Sequence, residues 1–126
     1  MEYCFRGFDA VVKKRWVYGD LVHNKRVDLT DRVMVGGYEV VPESVGMWTG
    51  LKDKNGNEIY EGDIVKWDRD QKMYVVAFRN GMYYASVEEC NPHIYGGFPL
   101  WCLCEEEQHC TIVGNIHDNK KLLRHG

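Results

Sequence analysis

Three cysteines and a histidine lie close together near the end of the chain and could form a metal site. Cys102 and Cys104 are separated by one residue, and His109 directly precedes Cys110. Because alternate residues of a β-strand point to the same face, we expect the first two thiols to share one side of a strand. Three thiolates and an imidazole suit tetrahedral zinc, although this spacing differs from paired C-x-x-C motifs. Zinc is therefore one hypothesis, and ordinary, partly buried thiols are the other.

A second cluster combines basic and aromatic side chains, a pattern found in nucleic-acid-binding proteins. Its members are Lys66, Trp67, Arg69, Lys72 and Tyr74. Small β-barrels bind single strands by stacking bases on exposed aromatic rings in a basic groove. Against this reading, Asp68 and Asp70 lie within the same stretch. A strand must also direct some of its aromatic side chains into the core. Nucleic-acid binding is therefore an alternative hypothesis.

Three neighbouring carboxylates, Glu58, Glu61 and Asp63, resemble an acid/base set but are better explained as turn residues. Acid/base hydrolysis needs two carboxyl groups facing each other across a substrate. These three flank tight turns, where we expect acidic side chains to accept hydrogen bonds from backbone amides and stay solvated. The cysteines and histidines also show no nucleophile–base pattern. We therefore predict no catalytic residues and no enzymatic activity.

Composition describes an ordinary folded protein that needs neither a membrane nor a cofactor. The 126 residues are 44% hydrophobic and 28% charged, and the formal net charge is −3. This charge argues against a protein whose main function is to bind phosphate backbones. The chain lacks an apolar run of about 18 residues and a signal-peptide pattern. We therefore expect a cytoplasmic protein with reduced thiols and no cofactor.

Closely spaced β-prone runs predict a mainly β fold with little helix. Gly36-Gly37 and Asn80-Gly81 each join two such runs by the two-residue connection of a tight hairpin. We expect one domain, with an N-terminal β-hairpin lobe at 1–48 and a small SH3-like barrel at 49–118. The remaining residues, 119–126, form a tail in this prediction.

Four local predictions depend on shorter signals. We expect a turn at Asn24–Arg26, a primed two-residue turn at Asn55-Gly56, and an edge strand at Phe98–Cys104. Two alternatives stay open for Asp118–Leu123, a short helix with Asp118 as its N-cap or a frayed tail.

One central segment, TGLKDKNGNEIYEGDIV at Thr49–Val65, is distinctive as a whole. Around it, in order, lie FRGFD, WVYGDLV, YEVVPESVGMWTG and IVGNIHDN. Together these motifs resemble the YopX-type family of bacteriophage and prophage proteins over nearly the whole chain. The resemblance implies a mainly β fold and a phage or mobile-element context, and it carries no catalytic residues. The signature positions are Thr49, Gly50, Asp53, Gly56, Tyr60, Glu61, Gly62 and Asp63.

These observations favour a non-enzymatic accessory protein that acts through protein–protein contacts in the bacterial host cytoplasm. Exposed sheet edges offer surfaces for pairing, so an unidentified protein partner or a homo-oligomer is expected. The alternative is the nucleic-acid-binding barrel described above. A zinc-containing element at the cysteine cluster is the third hypothesis.

Overall fold

The computed structural model describes residues 5–79, 81–86, 97–104 and 109–119. Within these ranges the protein is mainly β, with antiparallel strands and two short 3-10 helices. The chain divides into two compact units, Met1–Trp48 and Thr49–Gly126. No helix in the described ranges is long and apolar enough to cross a membrane.

The first unit contains two groups of paired strands. Its elements are β1 Phe5–Phe8, β2 Trp16–Gly19, β3 Leu21–Lys25, β4 Asp31–Val35, β5 Tyr38–Glu39, a 3-10 helix at Pro42–Ser44, and the start of β6, Gly46–Lys52. Strand β1 pairs with β2 and with the start of β6, and β4 lies between β3 and β5. Val17, Val35 and Val40 form the buried core of this unit.

The second unit is built on a five-stranded antiparallel sheet. Its elements are the end of β6, β7 Glu58–Tyr60, β8 Asp63–Trp67, β9 Met73–Arg79, β10 Met82–Ser86, β11 Gly97–Pro99, a 3-10 helix at Leu100–Cys104, and β12 Cys110–Asn115. The sheet order is β11-β10-β9-β8-β12. One face of the sheet is covered by Leu100 and Leu103 of the 3-10 helix and by Ile59 of β7. The described strands form an open sheet, so the predicted SH3-like barrel is not confirmed.

Both glycine-containing hairpins were predicted correctly. Val35 pairs with Tyr38 across Gly36-Gly37, and Arg79 pairs with Met82. Both glycines of the first turn have positive φ angles, 60° and 87°. This is the backbone of a primed turn, in which glycine avoids the steric cost that a side chain carries.

Two of the shorter-range predictions were wrong, and a third was correct only in part. Asn24 and Lys25 continue β3, because they pair with Arg32 and Asp31 across the sheet. Asn55-Gly56 is not a primed pair, since only Gly56 has a positive φ angle and the loop spans five residues. The predicted edge strand Phe98–Cys104 is confirmed for Phe98 and Pro99, which lie in β11 at the edge of the sheet, whereas residues 100–104 form a 3-10 helix. The predicted C-terminal helix lies almost wholly outside the described residues.

Asp9 organises the connection between β1 and β2. One carboxylate oxygen accepts the backbone N–H groups of Val11 and Val12, both at 2.9 Å. The other oxygen accepts from the Arg15 guanidinium, also at 2.9 Å. These contacts, led by the Val12 amide, lower the pKa of Asp9 below its ordinary value although burial opposes the shift.

We therefore expect Asp9 to make stability depend on pH in the acid range. A lowered folded-state pKa means that the unfolded chain binds more protons. The contribution of Asp9 is thus complete above its ordinary pKa of about 3.9 and is lost as pH falls through the lower folded value. Urea unfolding between about pH 2 and 7 should show that Asp9→Asn flattens this acid dependence.

Glu43→Gln is the matched control, because Glu43 is exposed and the substitution makes the same change in net charge. Equal acid profiles for the Asp9→Asn variant and the unaltered protein would contradict the prediction.

Candidate functional site

The signature segment forms a hairpin whose turn is organised by Asp53. The turn closes with hydrogen bonds from the Gly56 amide to the Asp53 carbonyl and from the Asp53 amide to the Asn57 carbonyl. One oxygen of the buried Asp53 carboxylate accepts the amides of Asn55 and Asn57. The other accepts the amide of Ile112 in β12, at 3.0 Å. Asp53 therefore fixes both the turn and the adjacent sheet edge.

A second corner follows at Glu61–Asp63. The Asp63 carboxylate is 1% exposed and accepts the Tyr60 amide at 2.7 Å. Gly62 has a φ angle of 93°, and its amide donates to the Val76 carbonyl. The predicted capping role of Asp63 is thus seen, but the expectation that this carboxylate stays solvated was wrong.

The other signature side chains also make local contacts. The Thr49 hydroxyl donates to the Ile59 carbonyl at 2.7 Å and accepts the Leu51 amide at 3.2 Å. Tyr60 is buried, and its hydroxyl lies 3.3 Å from Glu58. Gly50, like Gly56, has a positive φ angle. These contacts stabilise the local fold of the signature segment.

The predicted base-stacking platform is absent at the two aromatic positions. Trp67 and Tyr74 are each 2% exposed and pack edge to face with ring centroids 6.0 Å apart. Phe98 packs against both rings. The Tyr74 hydroxyl donates to Asp70, and burial together with this bond raises the pKa of Tyr74. Neither ring can stack on a base without disruption of the core, so this part of the prediction was wrong.

The basic members of the cluster lie outside this core. Arg69 and Lys72 are exposed, and Lys66 is half-buried. The Arg69 guanidinium lies over the Trp67 ring, 5.5 Å from its centroid, and so covers the indole. Nearby, Lys54 forms an ion pair with Asp68 at 3.1 Å. Lys66, Arg69 and Lys72 therefore form no groove lined by the rings of Trp67 and Tyr74.

The cysteine cluster is arranged differently from the predicted zinc site. Cys102 and Cys104 lie in the 3-10 helix, whereas Cys110 begins β12. Cys110 belongs to the buried core against which Cys102 and Cys104 pack, and His109 is exposed. Across the described residues, no three His, Cys, Asp or Glu side chains are grouped closely enough to hold a metal ion. The structure therefore gives the zinc hypothesis no ligand set.

The outer edge of β3 is an exposed surface of the first unit that could bind a partner. Among the described strands, β3 pairs only with β4, and its residues from Val22 to Lys25 are all exposed. The Gly36 amide donates to the Asp20 carbonyl, and the Arg26 amide donates to the Thr30 carbonyl. Antiparallel pairing alternates bonded and non-bonded positions.

This alternation determines which backbone groups are available. Even-numbered residues of β3 bond to β4, so the N–H and C=O groups of Leu21, His23 and Lys25 point toward the open edge. Open edges of this kind can accept an additional strand. A cleft of about 360 Å³ is lined by residues of both β3 and β4, namely His23, Asn24, Lys25, Asp31, Arg32 and Val33.

Comparison with known proteins places this fold in a family. A family model described as YopX protein matches residues 4–124. The chain belongs to the YopX family. This confirms the resemblance inferred from the motifs around Thr49–Val65. A search of curated proteins finds no match to the chain.

The YopX fold is also found in a crystal structure. Protein EF1440 from Enterococcus faecalis is similar to this chain, with 23% sequence identity and a TM-score of 0.56. The similarity covers 98% of this chain and 99% of that chain. At this identity the likeness concerns the fold.

Sequence reasoning missed three of the features described here. The open edge of β3 was not predicted, because residues Asn24–Arg26 were assigned to a turn and not to a strand. The role of Asp9 has a local signal, because an Asp whose carboxylate accepts the backbone N–H groups two and three residues later is a common turn motif. The 3-10 helix that contains Cys102 and Cys104 had no local signal.

Proposed function

We propose that this YopX protein is a non-enzymatic accessory protein of a phage or mobile element that binds an extended segment of another protein along β3. The supporting observation is the open β3 edge with four successive exposed residues. Strand addition uses backbone hydrogen bonds for affinity and side-chain pockets for specificity. The β3 edge offers backbone groups for hydrogen bonds, and the cleft lined by β3 and β4 offers a side-chain pocket. The bacterial host cytoplasm is the compartment in which we place this interaction.

Charge around the edge favours a partner segment with acidic side chains. Lys25 and Arg26 are already matched by Asp31 and Glu39. Arg32 bonds instead to a neutral group, the side-chain oxygen of Asn24. Arg32 lines the cleft, and its guanidinium has further N–H groups that can donate to a carboxylate. A partner carboxylate next to the added strand would therefore gain a charge-assisted hydrogen bond.

A second copy of the chain is a poorer occupant of the same edge. A second β3 strand, Leu21–Lys25, contains no acidic residue, so it would bring no carboxylate of its own to Arg32. We therefore assign the edge to a different, acidic protein segment.

The test uses a proline that blocks strand addition without removing a bond of the existing sheet. The His23 amide points toward the open edge, so His23→Pro removes an outward donor and leaves the β3–β4 bonds in place. Tagged protein is expressed in the host during induction, and the recovered proteins are identified. Overlapping peptides of the recovered partner are then titrated against the protein. We expect one acidic peptide to bind, with at least about a tenfold loss for His23→Pro.

His23→Ala is the matched control and should bind within about twofold of the unaltered protein, since it keeps the amide. Equal binding by the proline variant would overturn the proposal. Recovery of only nucleic acid, only a second copy, or no partner at all would also overturn it.

A further inference from the structure

The turn between β3 and β4 presents two large apolar side chains to solvent. We call Val27, Asp28 and Leu29 the hairpin tip, which lies between Arg26 and Thr30. The Val27 side chain is fully exposed, and Leu29 is 73% exposed. Neighbouring apolar side chains that stay in water can mark an interaction site.

The backbone at Leu29 makes this exposure more informative. The Arg26 amide donates to the Thr30 carbonyl at 2.8 Å, and the Leu29 amide donates to the Arg26 carbonyl at 2.9 Å. These bonds close a three-residue loop whose last residue, Leu29, has a φ angle of 69°. Glycine is the usual residue at this left-handed position, because a side chain there carries a steric cost. Leu29 thus stabilises neither the turn nor the core of a single chain, whereas a contact with another molecule would give it a physical role.

A second pair of exposed apolar side chains lies on the loop between β1 and β2. Val11 is 77% exposed and Val12 is 49% exposed. Lys13 and Lys14 follow them, are exposed, and form no ion pair with any residue that the structure describes. We call these four residues the valine–lysine loop. It combines apolar surface with unmatched positive charge.

The hairpin tip carries the opposite charge. The Thr30 amide and hydroxyl both donate to Oδ1 of Asp28, at 3.0 and 2.6 Å. Oδ2 of Asp28 accepts no hydrogen bond from the described part of the chain, so it can accept from an added cation. The two surfaces are therefore complementary, since each has two apolar side chains and they differ in the sign of their charge.

Glu39 of β5 connects these two surfaces within the first unit. Its carbonyl accepts the amide of Ala10, the residue before the valine–lysine loop, at 2.9 Å. Its carboxylate forms an ion pair with Arg26, the residue before the hairpin tip. The loop and the tip thus begin on either side of one residue. In a pair of copies, the contact between tip and loop can then form twice, once in each direction, about a two-fold axis.

We propose that the protein forms a two-fold dimer in which the hairpin tip of each copy binds the valine–lysine loop of the other. The valine and leucine side chains would bury apolar surface against each other, and Asp28 would bind Lys13 and Lys14. This interface uses no residue of β3. The proposal is therefore independent of strand addition at that edge.

Charge at the hairpin tip favours a second copy over a lipid bilayer. Asp28 lies between the two apolar residues of the tip, so its carboxylate would have to enter the membrane with them. Transfer of a charged side chain into the bilayer is costly. In the dimer the same carboxylate gains two cationic partners.

Sedimentation equilibrium of the full-length chain, from about 1 to 200 µM, measures the association. We expect the mass to rise from that of one chain towards that of two. Leu29→Gly removes an apolar anchor and also relieves the left-handed backbone, so it separates binding from folding. Its dissociation constant should rise at least about tenfold. Its urea midpoint, measured where the unaltered protein is monomeric, should stay the same or rise, whereas a merely structural role for Leu29 would lower it.

Charge reversal tests whether the two surfaces bind each other. Asp28→Lys alone should weaken the dimer, as should Lys13→Glu combined with Lys14→Glu, because each brings like charges together. The chain that carries all three changes should dimerise again, within about threefold of the unaltered protein. His23→Pro is the control, since it alters only the β3 edge and should dimerise normally. The dimer and the strand-addition proposal can therefore fail separately.

Four results would contradict the dimer. The first is a monomer at every concentration, including one whose hairpin tip binds a different protein or anionic lipid vesicles instead. The second is a mass that grows beyond two chains. The third is a dimer that Leu29→Gly leaves unchanged, and the fourth is a triple charge variant that stays monomeric.

Discussion

Gly36→Ala should destabilise the protein far more than Gly37→Ala, although the two glycines are neighbours in one turn. Both have positive φ angles, so an alanine at either position adds a conformational cost of about 1–2 kcal/mol. At Gly37 a new Cβ would have no atom within 4 Å. At Gly36 it would lie 2.4 Å from the Tyr18 carbonyl oxygen. Backbone atoms cannot move aside as a flexible side chain can.

The close approach at Gly36 explains the size of the expected difference. The Gly36 amide donates to the Asp20 carbonyl, and a Cβ at Gly19 would lie 2.7 Å from the Gly36 Cα. The turn is therefore packed against the end of β2. Relief of the clash would displace β2 or break this bond, and overpacking of this kind costs about 1–3 kcal/mol.

Urea unfolding of the three proteins, followed by circular dichroism, measures the prediction. We expect a loss in unfolding free energy of about 1 kcal/mol for Gly37→Ala and about 3 kcal/mol or more for Gly36→Ala. If both variants lose the same amount, the turn does not pack against Tyr18 as described.

The contrast between these glycines also shows what could be predicted from the sequence. A Gly-Gly pair between two β-prone runs is a local signal, because its backbone preference does not depend on the rest of the fold. The close approach to Tyr18 depends on how β2 packs beside the turn. The sequence therefore predicted the hairpin but could not distinguish its two glycines.

The predicted stacking role of Trp67 and Tyr74 was wrong for the same physical reason. Alternation in β8 shows that Trp67 shares a face with Val65, but it does not show which face is buried. In the structure that face packs against the 3-10 helix, so Trp67 is a core residue and is not available to stack on a base. The 3-10 helix itself replaced a predicted strand and changed the relation between Cys102 and Cys104. Family membership was predicted correctly, because it rested on motifs distributed over nearly the whole chain.

Asp53 makes both contacts that a local sequence pattern predicts and a long-range contact that it does not. Its place before Asn55-Gly56 is a local turn signal, since an aspartate can accept the amides of the residues that follow it. Its third bond, from the Ile112 amide, joins residues 59 positions apart. No local pattern predicts that contact. Asp53 is 6% exposed, so the site is largely closed to water. Removal of its side chain would leave the three amides without their hydrogen-bond acceptor at a buried position.

Asp53→Ala should therefore lower the unfolding free energy by about 3–5 kcal/mol, because hydrogen bonds to a charged group contribute about 1.5–3 kcal/mol each and are not fully additive. Asp53→Asn should lie between this variant and the unaltered protein. Its single carbonyl oxygen can accept on one side, whereas its NH₂ group would face an N–H donor on the other. Urea unfolding measures both changes, and amide exchange at Ile112 reports the long-range bond directly. Asn55→Ala is the control, since its side chain is exposed and its backbone amide remains. If Asp53→Ala costs no more than Asn55→Ala, the carboxylate does not hold the signature hairpin to β12.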